Sequence, residues 1–405
     1  MTSRTSILYI TYDGLLEPLG QSQVWQYMRR LAGQYNLVIL SFEKPADIDD
    51  RARMDEMRRQ CVQAGVKWVP LRYHKKPTAP ATAYDIAAGF LTGLALTLRY
   101  RVRIVHARSY VASVMALALK RVTGVRYIFD MRGFWADERV EGGLWPAGGR
   151  LYRIAKGFER RFLLEADAVV SLTRAAAEAM RDFDYLKDRA VRFEVIPTCA
   201  DLTFFSATGS KPPGTPFTLG YVGSVGVWYL FNEVVAAYRA LRAVLPEARF
   251  LVVNRGGHEQ VREELARAGI PPESVQILSA PYKDMPGLIQ QMDAAVFFYK
   301  SAFSTKGTAP TRLAELLGMA VPVLANAGVG DVERIVKNEG APVGVVIDEF
   351  SPAALDGAVR ALVRIAADQD VKRLCREVAE RHFSVDWGSR RYASLYEELA
   401  SETSK

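Results

Sequence analysis

The chain has 405 residues, 49% hydrophobic and 24% charged, a composition that fits a globular protein of two or three domains and excludes a disordered chain, a collagen-like repeat and a coiled coil. Lys and Arg total 53 against 45 Asp and Glu, a net charge of +8, which suits phosphate-bearing partners or an anionic surface without choosing between them. Three widely spaced cysteines, Cys61, Cys199 and Cys375, form no CxxC pair, so neither a disulfide framework nor a structural zinc site is expected.

Strands and helices alternate from the start. The segment SILYITY (6–12) reads as a buried strand, and Val24, Tyr27, Met28 and Leu31 recur at helical spacing over 21–32. The N-terminal segment turns polar after this short apolar run, unlike a signal peptide. A strand follows at 36–42, a charged helix at 47–64 and a third strand at 66–71. A long helix covers roughly 80–99. Its uncharged core, IAAGFLTGLALTL over 86–98, falls short of the ~20 residues that a membrane span needs. Strands at 103–109, 126–132 and 168–173 alternate with helices at 111–121 and 149–165. All are apolar on both faces, the mark of a parallel sheet covered by helices on each side.

The pattern restarts after position 200. The stretch SATGSKPPGTP (206–216) reads as an interdomain linker. New strands follow at 217–224, 249–254, 275–278, 294–299, 321–326 and 344–348, and an amphipathic helix at 389–400 ends the chain. The expected architecture is α/β: two doubly wound Rossmann-like domains facing a cleft. Residues 1–200 form one domain, 201–385 the second, and 386–405 a C-terminal helix packing back on the first. A reduced, cytoplasmic protein is expected.

In open α/β sheets ligands bind beyond the carboxyl ends of the strands, so the strand-to-helix loops hold the candidate chemistry. The first, TYDGLLEPLGQSQ (11–23), carries Gly14 and Gly20, which let backbone N–H groups approach a phosphate or sugar, or simply turn the chain. The loop GYVGSVGVWYLFNE (220–233) places Gly223, Ser224 and Gly226 between a strand and a helix, as an anion nest or a tight turn. Neither is GxGxxG or a P-loop, so a dinucleotide cofactor is not expected. In STKGTAPTRLAELLGMAVPVLAN (304–326), Pro310 fits a helix start, and Thr311 and Arg312 bring N–H groups and a cation to it. Glu315, one turn further, either accepts two hydroxyl hydrogen bonds or is a solvated surface charge. In the first domain His106 and Arg108 end one strand, and Asp130 and Arg132 end the next. A carboxylate and an imidazole there act as base or hydroxyl anchor, the arginines hold a phosphate, or the acid and arginine form a structural pair.

These residues resemble the group 1 (GT4) glycosyltransferases of GT-B fold, over essentially the whole chain. The resemblance rests on YDGLLEPLGQSQ, HARSY, FDMRGFWADERV, IPTCADLTFF (196–205), GYVGSVGVWY and, most specifically, TAPTRLAELLGMAVPVLAN. It implies transfer of a sugar from a nucleotide diphosphate donor to an acceptor hydroxyl with retention, in polysaccharide or glycolipid synthesis, with 1–200 as the acceptor-side domain and 201–385 as the donor-binding domain. Glu315 matches the family's ribose-binding glutamate, Arg312 stands where the motif has Lys, and Gly14, Ser224 and Gly226 match glycine-loop positions near the donor. Three departures stand out. The family's first glutamate, eight positions before Glu315, is Gly307, with Lys306 or Thr308 to cover its space. Asp130 stands where many members have histidine, and either it or His106 takes that role. Ser224 stands where many have Arg, leaving Arg255 or Arg312 to supply the charge.

No cofactor and no metal are expected: backbone N–H groups and arginines stabilise the leaving diphosphate. The one Asp-x-Asp of note, Asp182 and Asp184, falls in a helix-like region and is read as surface. Arg58, Arg59, the run 72–76, Arg99, Arg101 and Arg103 form basic clusters, and Arg153, Lys156 and Arg160 share a helical face. With the apolar 86–98 helix they suit peripheral docking on anionic lipid at the inner face of the cell membrane, or are a solvated rim around a buried crossover helix. Arg108 and Trp135, with Trp145 nearby, are candidate contacts for a glycan or lipid-linked acceptor. Nucleic acid is not an expected partner, since the basic residues are dispersed and no recognition motif accompanies them. Two alternatives stay open: a sugar-nucleotide epimerase of the same fold, and a non-catalytic nucleotide-sugar-binding partner protein.

Overall fold

The computed structural model describes residues 4–402 except 208, 210 and 213. The chain forms two compact units, one of Met1–Pro197 with Val385–Lys405 and the other of Thr198–Ser384.

The first unit is built on seven parallel strands: β1 (Ser6–Thr11), β2 (Asn36–Glu43), β3 (Lys67–Arg72), β4 (Ile104–Arg108), β5 (Arg126–Asp130), β6 (Ala168–Ser171) and β7 (Phe193–Val195). Their order is β3-β2-β1-β4-β5-β6-β7. The central strands are buried on both faces, which is why they are continuous apolar runs instead of alternating ones. Strand order reverses between β1 and β4, and the register there sets Thr11 beside Arg108 and Arg108 beside Asp130. A threonine, an arginine and an aspartate side chain thus stand side by side at the carboxyl ends of three adjacent strands. The helices Thr78–Tyr100, Ser109–Thr123 and Arg150–Glu165 pack side by side in that order. The last helix, Val385–Ser401, lies against Gln26–Leu31 and β4.

The second unit has six parallel strands: β8 (Thr218–Val222), β9 (Arg249–Val253), β10 (Val275–Leu278), β11 (Ala294–Phe297), β12 (Val323–Asn326) and β13 (Gly344–Ile347), ordered β10-β9-β8-β11-β12-β13. Alternate residues of β9 enter two separate cores, Leu251 and Val253 one, Phe250 and Val252 the other, as a strand between two helical layers must. The order reverses between β8 and β11, so the loops after these strands flank the crevice where a ligand can sit.

Three sequence expectations are corrected. The 206–216 stretch is not the boundary, because the units divide at Pro197 and Thr198. Lys211 instead ties this stretch to the second unit, through Asp293 Oδ2 at 2.6 Å and Thr218 Oγ1 at 2.9 Å; residues 208, 210 and 213 lie outside those described. The charged 47–64 helix is two, Pro45–Asp49 and Arg51–Ala64, broken at Asp50, whose side chain caps the second by accepting from Arg53 N. Strand β7 was not expected, since its three residues make no apolar run.

Candidate functional site

In the first unit the loop after β1 is organised by a residue that sequence reasoning passed over. Glu43, at the end of β2, is fully buried and accepts hydrogen bonds from Leu15 N at 2.7 Å, Leu16 N at 3.2 Å and Ser41 Oγ at 2.7 Å. Burial pushes its carboxyl up, against the lowering effect of those donors. The N–H of Gly14 goes to Glu17 Oε1 at 3.2 Å. Three amides expected to face a ligand are therefore engaged inside the loop. Gly14 is needed for close packing, because a Cβ there would stand 2.6 Å from Glu43 Oε2. Gly20 likewise sits against Gly14 O. The readable signal was Glu43 itself, an acid closing an apolar strand.

At the ends of β4 and β5, Asp130 is 1% exposed. Its Oδ2 accepts from the Tyr392 hydroxyl at 3.2 Å and lies 3.5 Å from His106 Nε2, and Arg132 Nη1 is 3.8 Å from Oδ1. Burial alone would raise the Asp130 carboxyl, but Arg132, His106 and Arg108 outweigh it and hold the group below the usual carboxylate range. Burial pushes His106 down, toward the neutral imidazole. Its Nδ1 is 2.6 Å from the Tyr396 hydroxyl, and its ring packs on Tyr9 and Tyr392. His106 is thus enclosed, and braces Asp130 from below. Arg108 is buried and reaches Asp13 Oδ2 through Nε at 3.2 Å. Arg108 Nη1 and Asp130 Oδ1 have no hydrogen-bond partner, an unusual condition for buried polar atoms. Directly after the two strands, Ser109 and Arg132 adopt left-handed backbone, with φ of 68° and 60°, strain of the kind held at functional sites. Trp135 packs on Tyr110 and edge-on against Trp145, with Arg139 over its ring, which fixes it in an aromatic cluster.

In the second unit the sequence candidates converge on Arg312. It enters from the helix Thr311–Gly318, capped by Pro310, and Thr311 is the first helical residue. Its guanidinium lies against three tyrosine rings, 4.8 Å from the Tyr229 centroid, 5.6 Å from Tyr299 and 5.8 Å from Tyr221. Gly223, with φ of 140°, makes the room: a Cβ there would stand 2.1 Å from Arg312 Nη2. Tyr229 bridges Gly226 and Tyr299, and the Tyr221 hydroxyl donates to Ser224 O at 2.6 Å, so the β8 loop is folded onto the guanidinium. Arg312 Nη1 is buried without a hydrogen-bond partner.

Glu315 stands one turn along the same helix, 8% exposed. Burial raises its carboxyl to about 7, with Arg312 and Arg255 opposing. It is no solvated surface charge. Arg255, Ser224, Gly226 and Lys306 are exposed, Lys306 lying over Phe303, and Gly307 is buried in the turn Ser304–Gly307. Of the two arginines offered for the missing charge, Arg312 is the one that occupies the β8 loop. The tyrosine ring around it was missed because its members come from three separate segments. Among the described residues no cluster of three or more His, Cys, Asp or Glu could hold a metal ion. Asp184 is exposed and paired with Lys187 at 2.7 Å, and Asp182 caps the end of Arg174–Arg181.

Residues 20–199 match the glycosyl transferase 4-like domain. No curated protein sequence matches the chain. Solved structures do. A sucrose-phosphate synthase from Thermosynechococcus elongatus superposes with a TM-score of 0.73 at 14% identity, covering 98% of this chain and 100% of that one. HepE from Anabaena, in complex with UDP, gives 0.67 at 14% identity over 97% and 100%. The lipopolysaccharide outer core galactosyltransferase WaaB, in its apo form, gives 0.64 at 12% identity over 97% and 100%. The first unit thus matches a glycosyl transferase 4-like domain, and the two parallel sheets of Rossmann type with these likenesses show that the whole chain has the GT-B fold.

Proposed function

We propose that the protein transfers a sugar from a nucleoside diphosphate sugar to an acceptor hydroxyl with retention of configuration, in the assembly of a cell-surface polysaccharide or glycolipid. The observation that carries this reading is the pairing of Arg312 and Glu315 on one helix of the second unit. The guanidinium is fixed by three tyrosines with one nitrogen unpaired, which suits a diphosphate oxygen. The carboxylate one turn away is buried, which suits the two hydroxyls of a ribose. HepE, solved with UDP, binds a nucleotide on a fold of the same kind.

In the transfer step the bond between the anomeric carbon and the diphosphate oxygen breaks as the acceptor oxygen attacks from the same face. The acceptor proton passes to the departing phosphate. Negative charge grows on the leaving diphosphate, and Arg312 with the N–H groups opening its helix stabilises it. No divalent ion has a part in this scheme, and turnover is expected to persist in chelator. In the first unit Arg108 and Arg132, held by Asp13 and Asp130, position the acceptor. Asp130 orients hydroxyls through this frame and is not an obligatory base.

The test is a thermal-shift screen against UDP-, GDP-, ADP- and CMP-linked sugars, since a ligand that binds only the native state raises the melting temperature. NMR of the product of the best donor then reads the anomeric configuration. No shift with any donor, or an inverted product, overturns the reading. An epimerised sugar formed without acceptor would establish the epimerase alternative instead.

A further inference from the structure

The helix Thr78–Tyr100 is packed the wrong way round for a crossover helix of a two-unit α/β protein. Its buried residues are mostly small or polar: Ala81, Asp85, Gly89, Gly93 and Thr97, with Leu96 the one large apolar side chain among them. A Cβ on Gly89 would stand 2.5 Å from Met115 Sδ, and one on Gly93 would stand 3.1 Å from Leu119 Cδ1, so the close approach depends on the glycines. Ile86, Phe90 and Leu94 are half-buried, and three further large side chains point out. Tyr84, Leu91 and Leu98 are 62%, 64% and 67% exposed, seven residues apart and therefore on one face. Ala87 and Ala95 fill the same stripe. Two helices along in the same layer, Arg150–Glu165 exposes Leu151 and Ile154.

The fully exposed charges on the two helices themselves are cationic, although the short helix Trp135–Glu141 beside the second carries Asp137, Glu138 and Glu141. On the two helices the acids are Asp85, Glu159 and Glu165. The first two are buried, and Glu165 is paired with Arg121. Against them stand exposed Lys75 and Lys76 before the first helix, Arg99 and Arg101 at its end, and Arg150 and Arg153 on the second. An outward apolar stripe with cations at both ends complements an anionic lipid surface.

We propose that this face of the first unit docks on an anionic bilayer, with the Thr78–Tyr100 helix lying in the plane of the interface. The helix is long and apolar enough to cross a membrane by length and composition. Spanning would, however, pull Gly89 and Gly93 from Met115 and Leu119. It would also carry Asp85, which accepts from the Tyr12 hydroxyl at 2.8 Å and His74 N at 3.0 Å, into hydrocarbon. Lying on the surface keeps both. This inference goes beyond the transfer reading and does not rest on it.

The test is co-sedimentation of the full chain with vesicles of phosphatidylcholine alone, or with about one-third phosphatidylglycerol, at low and high salt. Wild type is expected to sediment with the anionic vesicles only, less so in high salt. The triple variant Tyr84→Ser, Leu91→Ser and Leu98→Ser should lose at least about tenfold in vesicle affinity. Val62→Ser, an equally exposed apolar residue on Arg51–Ala64, should lose nothing. Unchanged melting temperature identifies the triple variant as folded, and Leu91→Ser alone gives the same reading at smaller size if it is not. Wild type that ignores anionic vesicles overturns the proposal, as does a folded triple variant that binds like wild type. Equally decisive against it is sedimentation velocity showing a wild-type dimer that the variant breaks, which would make the stripe a contact between copies.

Discussion

The Arg312 guanidinium occupies the space that a side chain at Gly223 would fill. The hypothetical Cβ lies 2.1 Å from Nη2 and 2.3 Å from Cζ, and the glycine φ of 140° is one that side chains rarely adopt. This relationship separates two effects that usually travel together. Gly226 has a similar φ, 154°, but open space around it. Both Gly223→Ala and Gly226→Ala should lower stability, by about 1–3 kcal/mol each from backbone strain. Only Gly223→Ala should also displace the guanidinium, and its affinity for the nucleotide sugar should fall by a further tenfold or more, about what one charge-assisted hydrogen bond contributes. Calorimetry with the donor found by thermal shift measures this. Equal donor affinity in the two variants would show that Arg312 does not touch the donor.

Glu315 gives a pH prediction with a definite sign. Its carboxyl is raised from 4.5 to about 7 by burial, so the folded state holds this proton more tightly than the unfolded one. Below about pH 4.5 the group is protonated in both states and contributes no pH dependence. Between about 4.5 and 7 the unfolded state loses the proton first, and stability falls as pH rises, by up to about 3 kcal/mol. Glu315→Gln removes this burden: without ligand it should melt higher than wild type at pH 8, and the gap should close toward pH 4.5. Donor binding should move the other way. Ribose hydroxyls donate to the ionised carboxylate, so wild-type affinity should weaken from pH 8 to pH 6. Glu315→Gln should bind weakly at both, and Glu315→Ala should bind weakly while keeping the fold. Parallel thermal and calorimetric pH series check both halves.

Much of the fold was legible because burial on two faces leaves a simple trace. Strands such as β1 and β9 are unbroken apolar runs, and helices between them show a 3.6-residue period. The Arg312 and Glu315 pair was legible because its members are three residues apart on one helix. What was not legible depends on residues distant in sequence. The ring around Arg312 takes Tyr221, Tyr229 and Tyr299 from the end of β8, its loop and the end of β11. Tyr392 and Tyr396 reach Asp130 and His106 from the last helix, across 262 and 290 positions. Nothing local distinguishes these tyrosines from ordinary core residues. The stripe on Thr78–Tyr100 was legible only as two open readings, docking face or buried crossover, for the opposite reason: an apolar period shows that a helix has a face, but not which way the face points.

Glu43 tests the first-unit loop without touching the proposed donor residues. Its carboxylate satisfies two buried amides, Leu15 N and Leu16 N, 28 and 27 positions away. Glu43→Ala strands both donors and opens a void beside Gly14, and should lower stability by about 2–4 kcal/mol. Glu43→Gln keeps one acceptor oxygen and should cost less. Urea denaturation of both variants provides the measurement. A Glu43→Ala protein as stable as wild type would mean that water or backbone movement replaces the carboxylate, and that the loop is not held by it.

Asp130 carries the sharpest distinction between support and catalysis. It is an anion facing Arg132, Arg108 and His106, and it is itself almost out of reach of solvent. Asp130→Asn keeps the shape but leaves Arg132 without its carboxylate and Arg108 with Asp13 alone, which should lower stability by about 3 kcal/mol. It should also tilt the Arg132 and Arg108 frame that positions the acceptor. Transfer should fall by about a hundredfold or more, while donor affinity, which belongs to the second unit, stays within about threefold of wild type. Tyr392→Phe removes only the hydrogen bond to Oδ2 and should show a smaller loss of transfer with little loss of stability. The split between turnover and donor affinity is the informative readout, since a purely structural aspartate would weaken both through unfolding and recover both at low temperature. If Asp130→Asn turns over near the wild-type rate once folded, the charge cluster is a brace for the strand ends, and the positioning of the acceptor belongs to Arg108 and Arg132 without it.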